Sequence, residues 1–185
     1  MENRNYNYDI LKEIQERWSP RAFDPHKKVL REDLYALIEA ARYAPSCFNE
    51  QPWRFLIAED DARKALVTEA LTPSNQEWAV HAPVLMVIAA VHTFSQSGKQ
   101  NRWHQFDAGT AWGYLTLEAQ KRGLITHAMG GFNVDVMRTN FGLPEDMSIM
   151  AVVAIGYRGS TERLSDKNKE KEKPNHRKPI GELLI

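Results

Sequence analysis

Residues 84–91 read Val-Leu-Met-Val-Ile-Ala-Ala-Val. An unbroken apolar run of this length has no polar face to turn to water, so it is expected as a strand covered on both sides. With Pro83 it is still far too short to span a bilayer, which needs about 20 residues. Ile149–Tyr157 is a second apolar run, and Trp53–Ala58 and Ile125–Ala128 read as shorter strands. Helical patterns lie between them. Leu30, Leu34, Leu37, Ile38 and Ala41 form a stripe at helical spacing over Arg31–Tyr43, with Glu32 and Asp33 in the first turn and Pro45 just beyond. Asp60 can cap a helix to about Leu71, Arg102–Arg122 reads as a long helix ended by Gly123, and Asn133 can cap one that stops at Gly142-Leu143-Pro144. A short helix is expected over Asp9–Gln15, a break at Thr72-Pro73-Ser74-Asn75 and a polar loop over His92–Gln100. Strands that alternate with helices predict an α+β chain whose sheet is covered by helices.

At 185 residues the chain is expected to form one domain, residues 1–185, with a sizeable core. Its 24 basic and 24 acidic residues balance, which favours neither nucleic acid nor a membrane surface as partner. The one cysteine, Cys47, excludes an internal disulfide, and the polar N-terminus has no signal-peptide core, so a cytoplasmic protein is expected. Six histidines show no spacing with cysteine or carboxylate that suggests a metal site. Residues 158–178 carry eight Lys or Arg against four Asp or Glu, and are followed by apolar Ile180, Leu183, Leu184 and Ile185.

Two polar stretches stand out. In Ala44-Pro-Ser-Cys-Phe-Asn-Glu-Gln-Pro-Trp53, Pro52 biases Gln51 to extended geometry, which would put the Asn49 and Gln51 amides on one side. They suit either the edge of a flat heterocycle or the capping of their own loop backbone. In Arg17-Trp-Ser-Pro-Arg21, Pro20 biases Ser19 the same way, so Arg17, Ser19 and Arg21 share a face. Two guanidinium forks and a hydroxyl can receive a phosphate dianion, or simply form an exposed basic turn.

Together these stretches resemble the FMN-dependent nitroreductase family. The order is Arg17-x-Ser19-x-Arg21-x-Phe23, then Ala41-Arg42-x-Ala44-Pro45-Ser46-x-x-Asn49-x-Gln51-Pro52-Trp53. Ala82-Pro83, Asp107-x-Gly109, Gly130-Gly131-Phe132, Gly142-Leu143-Pro144 and Ile155-Gly156-Tyr157 follow in family order across nearly the whole chain. The resemblance implies a mixed central sheet between helical layers, in an obligate homodimer with an exchanged C-terminal arm and FMN at the subunit interface. Helix 102–122, rich in small residues, would be the central dimer contact, although an ordinary buried helix explains them as well.

The resemblance also implies site residues. Arg17, Trp18, Ser19 and Arg21 match the first FMN-binding segment, and Arg177 matches a C-terminal phosphate-binding arginine. Pro45, Ser46, Cys47, Asn49 and Gln51 match the segment that reaches the flavin from the other subunit. Asn75 matches a contact to the pyrimidine edge, and Met129, Gly130 and Gly131 the backbone that approaches flavin N5 and O4. Cys47 reads either as a thiol beside the flavin or as a small packed residue. Trp18 and Asn175 replace basic residues found in some relatives, which makes the phosphate cluster less basic. Only the loop 92–100 is available to wall a substrate pocket, with Phe94, Trp103 and His104 as candidates for its mouth or for a surface loop with one packed tryptophan. The implied activity is transfer of electrons from NAD(P)H through FMN, by a ping-pong mechanism, to nitroaromatics, quinones or related small acceptors, the flavin carrying the chemistry with no catalytic side chain. Enone reduction, dehydrogenation, reductive dehalogenation and a non-catalytic flavin carrier or sensor are alternatives on the same fold. Residue patterns leave the physiological acceptor and the NADH or NADPH preference open.

Overall fold

The structure is a computed structural model that describes Arg4 and residues 6–185. Four strands, β1 (Trp53–Ala58), β2 (Val84–Val91), β3 (Ile125–Met129) and β4 (Met147–Gly156), form one sheet in the order β1-β2-β4-β3. The run 84–91 is a central strand, and its residues are buried up to Ala90. Val84, Met86 and Ile88 enter one core with Val153 and Ile155, whereas Leu85 and Val87 enter a second core with Val152 and Ala154. The period-two geometry of a strand thus divides an all-apolar segment between two faces, as expected of a strand covered on both sides.

Each core has its own helices. α2 (Arg31–Arg42) and α5 (His104–Lys121) cover the first face with Leu34, Leu37, Ala111 and Leu115. α3 (Asp61–Ala70), α4 (Pro73–Ala79) and α6 (Val134–Phe141) cover the second with Val67, Ala70, Trp78 and Met137. Each fully buried large side chain of this kind contributes about 1.5–3 kcal/mol. No helix among the described residues is long and apolar enough to cross a membrane.

All three strand pairings are antiparallel, so the sheet formed within one chain is not the mixed one that the resemblance implies. The reason lies in the connections. β1 and β2 are neighbours joined at one end of the sheet and β3 and β4 at the other, while the passage from β2 to β3 runs from end to end and joins strands that are not neighbours. α5, at 18 residues about 27 Å long, carries the chain across. Leu124 N–H returns to the Ala119 carbonyl at its end, and Gly123 takes φ +72°.

Two local expectations change. The N-terminal helix α1 is Lys12–Glu16 rather than Asp9–Gln15, because Leu11 begins the turn and Ile10 and Ile14 stay exposed without a core to bury them. Residues 72–75 are no break. Pro73 is the first residue of α4, a position that needs no N–H and suits a fixed φ. Gln76 Nε2 secures this turn on the Thr68 and Leu71 carbonyls, 3.0 and 2.9 Å. The charged segment after β4 is ordered around α7 (Asp166–Glu170). It starts on the 22–24 strip, where Gly159 N–H donates to the Ala22 carbonyl. A Cβ on Gly159 would lie 2.5 Å from the Phe23 oxygen, so only glycine permits that approach.

Candidate functional site

Arg17, Trp18, Ser19 and Arg21 follow α1 and line a basic cavity with His127 of β3. The wall is completed by Lys171, Lys173, Asn175 and Arg177 of the C-terminal segment and by Arg4. The expected shared face of Arg17 and Ser19 is present, since Arg17 Nη1 lies 3.4 Å from Ser19 Oγ and 3.1 Å from the Trp18 carbonyl. Glu172 holds the two chain segments together, its carboxylate accepting the Arg21 and Ala22 N–H groups at 2.8 and 3.1 Å. That bond places Lys171 and Lys173 on either side of it. The cluster is therefore more basic than the resemblance implies.

Electrostatics follow from this crowding. Burial holds the Arg17 guanidinium below its ordinary pKa, and the charges of Arg177 and Arg4 push the same way. His127 is pushed down to about 4, first by burial, with Arg21 and Arg17 adding to it against the hydrogen bond from its Nδ1 to the Pro20 carbonyl, 3.0 Å. Its ring packs on Trp78 at 4.5 Å, and the Arg21 guanidinium lies 6.0 Å from the same indole. Arg177 bonds only to the carbonyls of Asn175 and His176 among the described residues. The lining is rich in cations, and the neighbouring Glu172 carboxylate is already engaged by backbone N–H groups.

β3 leads from this cavity to the glycine pair. Met129 is buried, and Gly130 has open space where a Cβ would stand. Gly131 does not: a Cβ there would lie 2.8 Å from Asn75 Nδ2 and 2.9 Å from Thr72 Oγ1. Asn75 Nδ2 and Thr72 N–H both donate to the Gly131 carbonyl at 3.0 Å. α4 thus presents Asn75 to Gly131 and, one turn on, Trp78 to His127.

The 45–51 segment is placed otherwise than its sequence suggests. Cys47–Asn49 is a 3₁₀ turn, and Phe48, Asn49 and Gln51 take φ of +52°, +55° and +52°. The Asn49 and Gln51 amides do meet, at 3.2 Å, but through this turn and not by alternation along an extended chain. Local acceptors override the bias of Pro52: Ser46 Oγ takes the Gln51 N–H, and buried Asp107 of α5 takes the Cys47 N–H at 3.1 Å. Glu50 ties the turn to Ser95. Left-handed backbone costs a residue such as Phe or Gln about 1–3 kcal/mol, and such strain concentrates at functional sites. Pro45, Asn49 and Gln51 line a separate hollow with Arg42, Tyr43, Ala44 and Tyr114. Pro45, Ser46, Cys47, Asn49 and Gln51 are all absent from the wall of the basic cavity within one chain.

The three candidates for a substrate mouth divide. Phe94 meets exposed Phe48 edge to face at 5.9 Å, beside the strained turn. Trp103 is exposed under the Arg102 guanidinium. His104 is buried, with Nδ1 on the Asn101 carbonyl at 2.7 Å and Nε2 on Ser148 Oγ at 3.1 Å, so its ring nitrogens serve the fold rather than a mouth. Arg4, His127, Lys171, Lys173 and Glu172 are missing from the sequence-based site.

The model of the nitroreductase family matches residues 14–73 and 59–157. An NADH dehydrogenase of Thermus thermophilus is 29% identical over 183 residues, covering 82% of this chain and 83% of its own. Among solved structures, one described as an oxidoreductase containing FMN superposes with a TM-score of 0.93 at 34% identity, over 100% of this chain and 95% of its own. A nitroreductase family protein of Clostridium difficile shares the fold at a TM-score of 0.74 and 24% identity, over 96% of this chain and 98% of its own.

Proposed function

Because the chain belongs to the nitroreductase family, we propose that it is an FMN-dependent oxidoreductase that takes electrons from NAD(P)H and delivers them, in a ping-pong cycle, to a nitroaromatic, a quinone or a related small acceptor. The observation that carries this reading is the basic cavity. Arg17, Arg21 and Arg177 converge there with Ser19, and among the described residues none of these three guanidinium groups is ion-paired to a carboxylate. Such a donor set fits a phosphate dianion.

When bound, FMN supplies the redox chemistry. The chain's residues bind and orient it. Arg17, Arg21 and Arg177 hold the phosphate, and Ser19 donates from the same side. His127, with its pKa near 4, stays neutral at neutral pH and adds no charge to the pocket. Asn75, fixed on Gly131, stands beside the glycine pair, where the reactive edge of the ring is expected.

The functional unit is proposed to be a homodimer. The strained 45–51 turn carries family residues yet stands apart from the basic cavity of its own chain. Ile180, Leu183 and Leu184 are 46, 65 and 72% exposed, an apolar end that a partner surface would cover. On α5, Phe106 and Tyr114 are exposed as well. A screen of NADH and NADPH oxidation by the holoprotein against nitroaromatics, quinones and enones tests the activity. Turnover with a nitroaromatic or quinone is expected; a holoprotein that passes electrons to none of them would overturn this reading and leave dehydrogenation, reductive dehalogenation or a flavin carrier.

A further inference from the structure

Arg4 enters the basic cavity from the segment ahead of α1. Its Nη1 is fixed by two backbone carbonyls, that of Gln15 at 3.2 Å and that of Arg17 at 2.8 Å. Its other two nitrogens, Nε and Nη2, are buried and have no hydrogen-bond partner among the described residues. A guanidinium keeps its charge at any working pH, and desolvated donors on a cation are costly when they have no acceptor. Nε and Nη2 form the side edge of the guanidinium plane, the edge that grips one oxyanion with two parallel bonds. Because Nη1 is anchored, that edge cannot swing out to water without breaking two bonds. The carbonyls it grips belong to Gln15, in the last turn of α1, and to Arg17, the first arginine of the motif that follows, so Arg4 is built into the wall.

We propose that Arg4 is a direct ligand of the flavin phosphate, gripping it through the Nε–Nη2 edge, and that it sets the preference of the site for phosphorylated flavin over riboflavin. This rests on the reading that the basic cavity receives the FMN phosphate. Arg4 also repels Arg17, and a shared dianion between the two converts that repulsion into two attractions. Arg17, Ser19, Arg21 and Arg177 bring the other donors.

The test is a titration of apoprotein with FMN and, separately, with riboflavin, followed by quenching of flavin fluorescence, for wild type, Arg4→Met and Arg4→Lys. Methionine keeps the stem and removes the donors; lysine keeps the charge and removes the fork. Arg4→Met is expected to weaken FMN by about 10- to 100-fold and to leave riboflavin within about twofold. Arg4→Lys should fall between wild type and Arg4→Met for FMN. Equal losses for FMN and riboflavin would overturn the proposal, because Arg4 would then only prop the Gln15 and Arg17 carbonyls. FMN binding unchanged in Arg4→Met would overturn it too, and Arg4→Lys indistinguishable from wild type would overturn the two-bond grip. Wild-type protein that prefers riboflavin, or binds neither flavin, would instead remove the phosphate reading itself.

Discussion

The carboxylate of Glu172 accepts the backbone N–H of Arg21 at 2.8 Å, across a sequence separation of 151 residues. Its second oxygen takes the Ala22 N–H at 3.1 Å. One side chain thus joins the N-terminal basic motif to the C-terminal segment that carries Lys171, Lys173 and Arg177. Hydrogen bonds to a charged group are worth about 1.5–3 kcal/mol. Glu172→Ala should lower stability by about that amount in urea unfolding and should weaken FMN, although the carboxylate itself repels phosphate. Tighter FMN binding in the variant would show that its charge, and not its grip on Arg21, dominates.

Gly131 and Gly130 should respond differently to the same substitution. Gly131→Ala drives a methyl against Asn75 Nδ2 and Thr72 Oγ1, and overpacking of this kind costs about 1–3 kcal/mol. Gly130→Ala meets open space, so the free protein should unfold at nearly the wild-type midpoint. If the backbone at Gly130 faces the flavin, that second variant should lose FMN affinity without losing stability. Thermal unfolding and flavin titration of both proteins check this, and equal midpoints for the two would contradict the packing argument.

His127 makes the apoprotein sensitive to acid. Its native pKa is about 4 against an ordinary 6.5. As pH falls below about 6.5 the unfolded chain takes up a proton that the native ring refuses, so stability drops until about pH 4 and then levels, with a loss of at most about 3 kcal/mol. His127→Gln should flatten that part of the stability profile. A phosphate in the cavity offsets the charges of Arg21 and Arg17, so FMN should raise the His127 pKa. Ring-proton NMR titration of free and FMN-loaded protein measures the direction, and a fall on loading would argue against phosphate in this cavity.

Much of this was legible in the sequence, and the parts that were not have specific causes. The run 84–91 was readable because an unbroken apolar segment with no polar face has to be covered on both sides. Arg17 and Ser19 were readable because local backbone bias set their common face. α4 was hidden because Pro73 looks like a breaker until its place at the start of a helix is known. The 47–51 turn was hidden because its positive φ values are held in part by Asp107, 60 residues from Cys47. Arg4, Lys171 and Lys173 join the cavity only through long-range bonds, and Lys and Arg are so common on surfaces that their spacing carried no signal.

The apolar end of the chain should matter to both assembly and cofactor. Deleting residues 179–185 removes Ile180, Leu183 and Leu184, each worth about 1.5–3 kcal/mol if a partner buries it. It also frees the segment that positions Arg177. Sedimentation should show a weakened dimer, and flavin titration a weaker FMN complex. A truncated protein that stays dimeric and binds FMN as tightly as the full chain would make the end a mere tail.

The central claim is tested most directly by titrating apoprotein with FMN and then adding NADH or NADPH without oxygen. The account predicts saturation at one FMN per chain, bleaching of the bound flavin by a nicotinamide, and return of its colour when a nitroaromatic or quinone is admitted. A protein that takes up no FMN, or whose bound flavin stays oxidised with both nicotinamides, would contradict it.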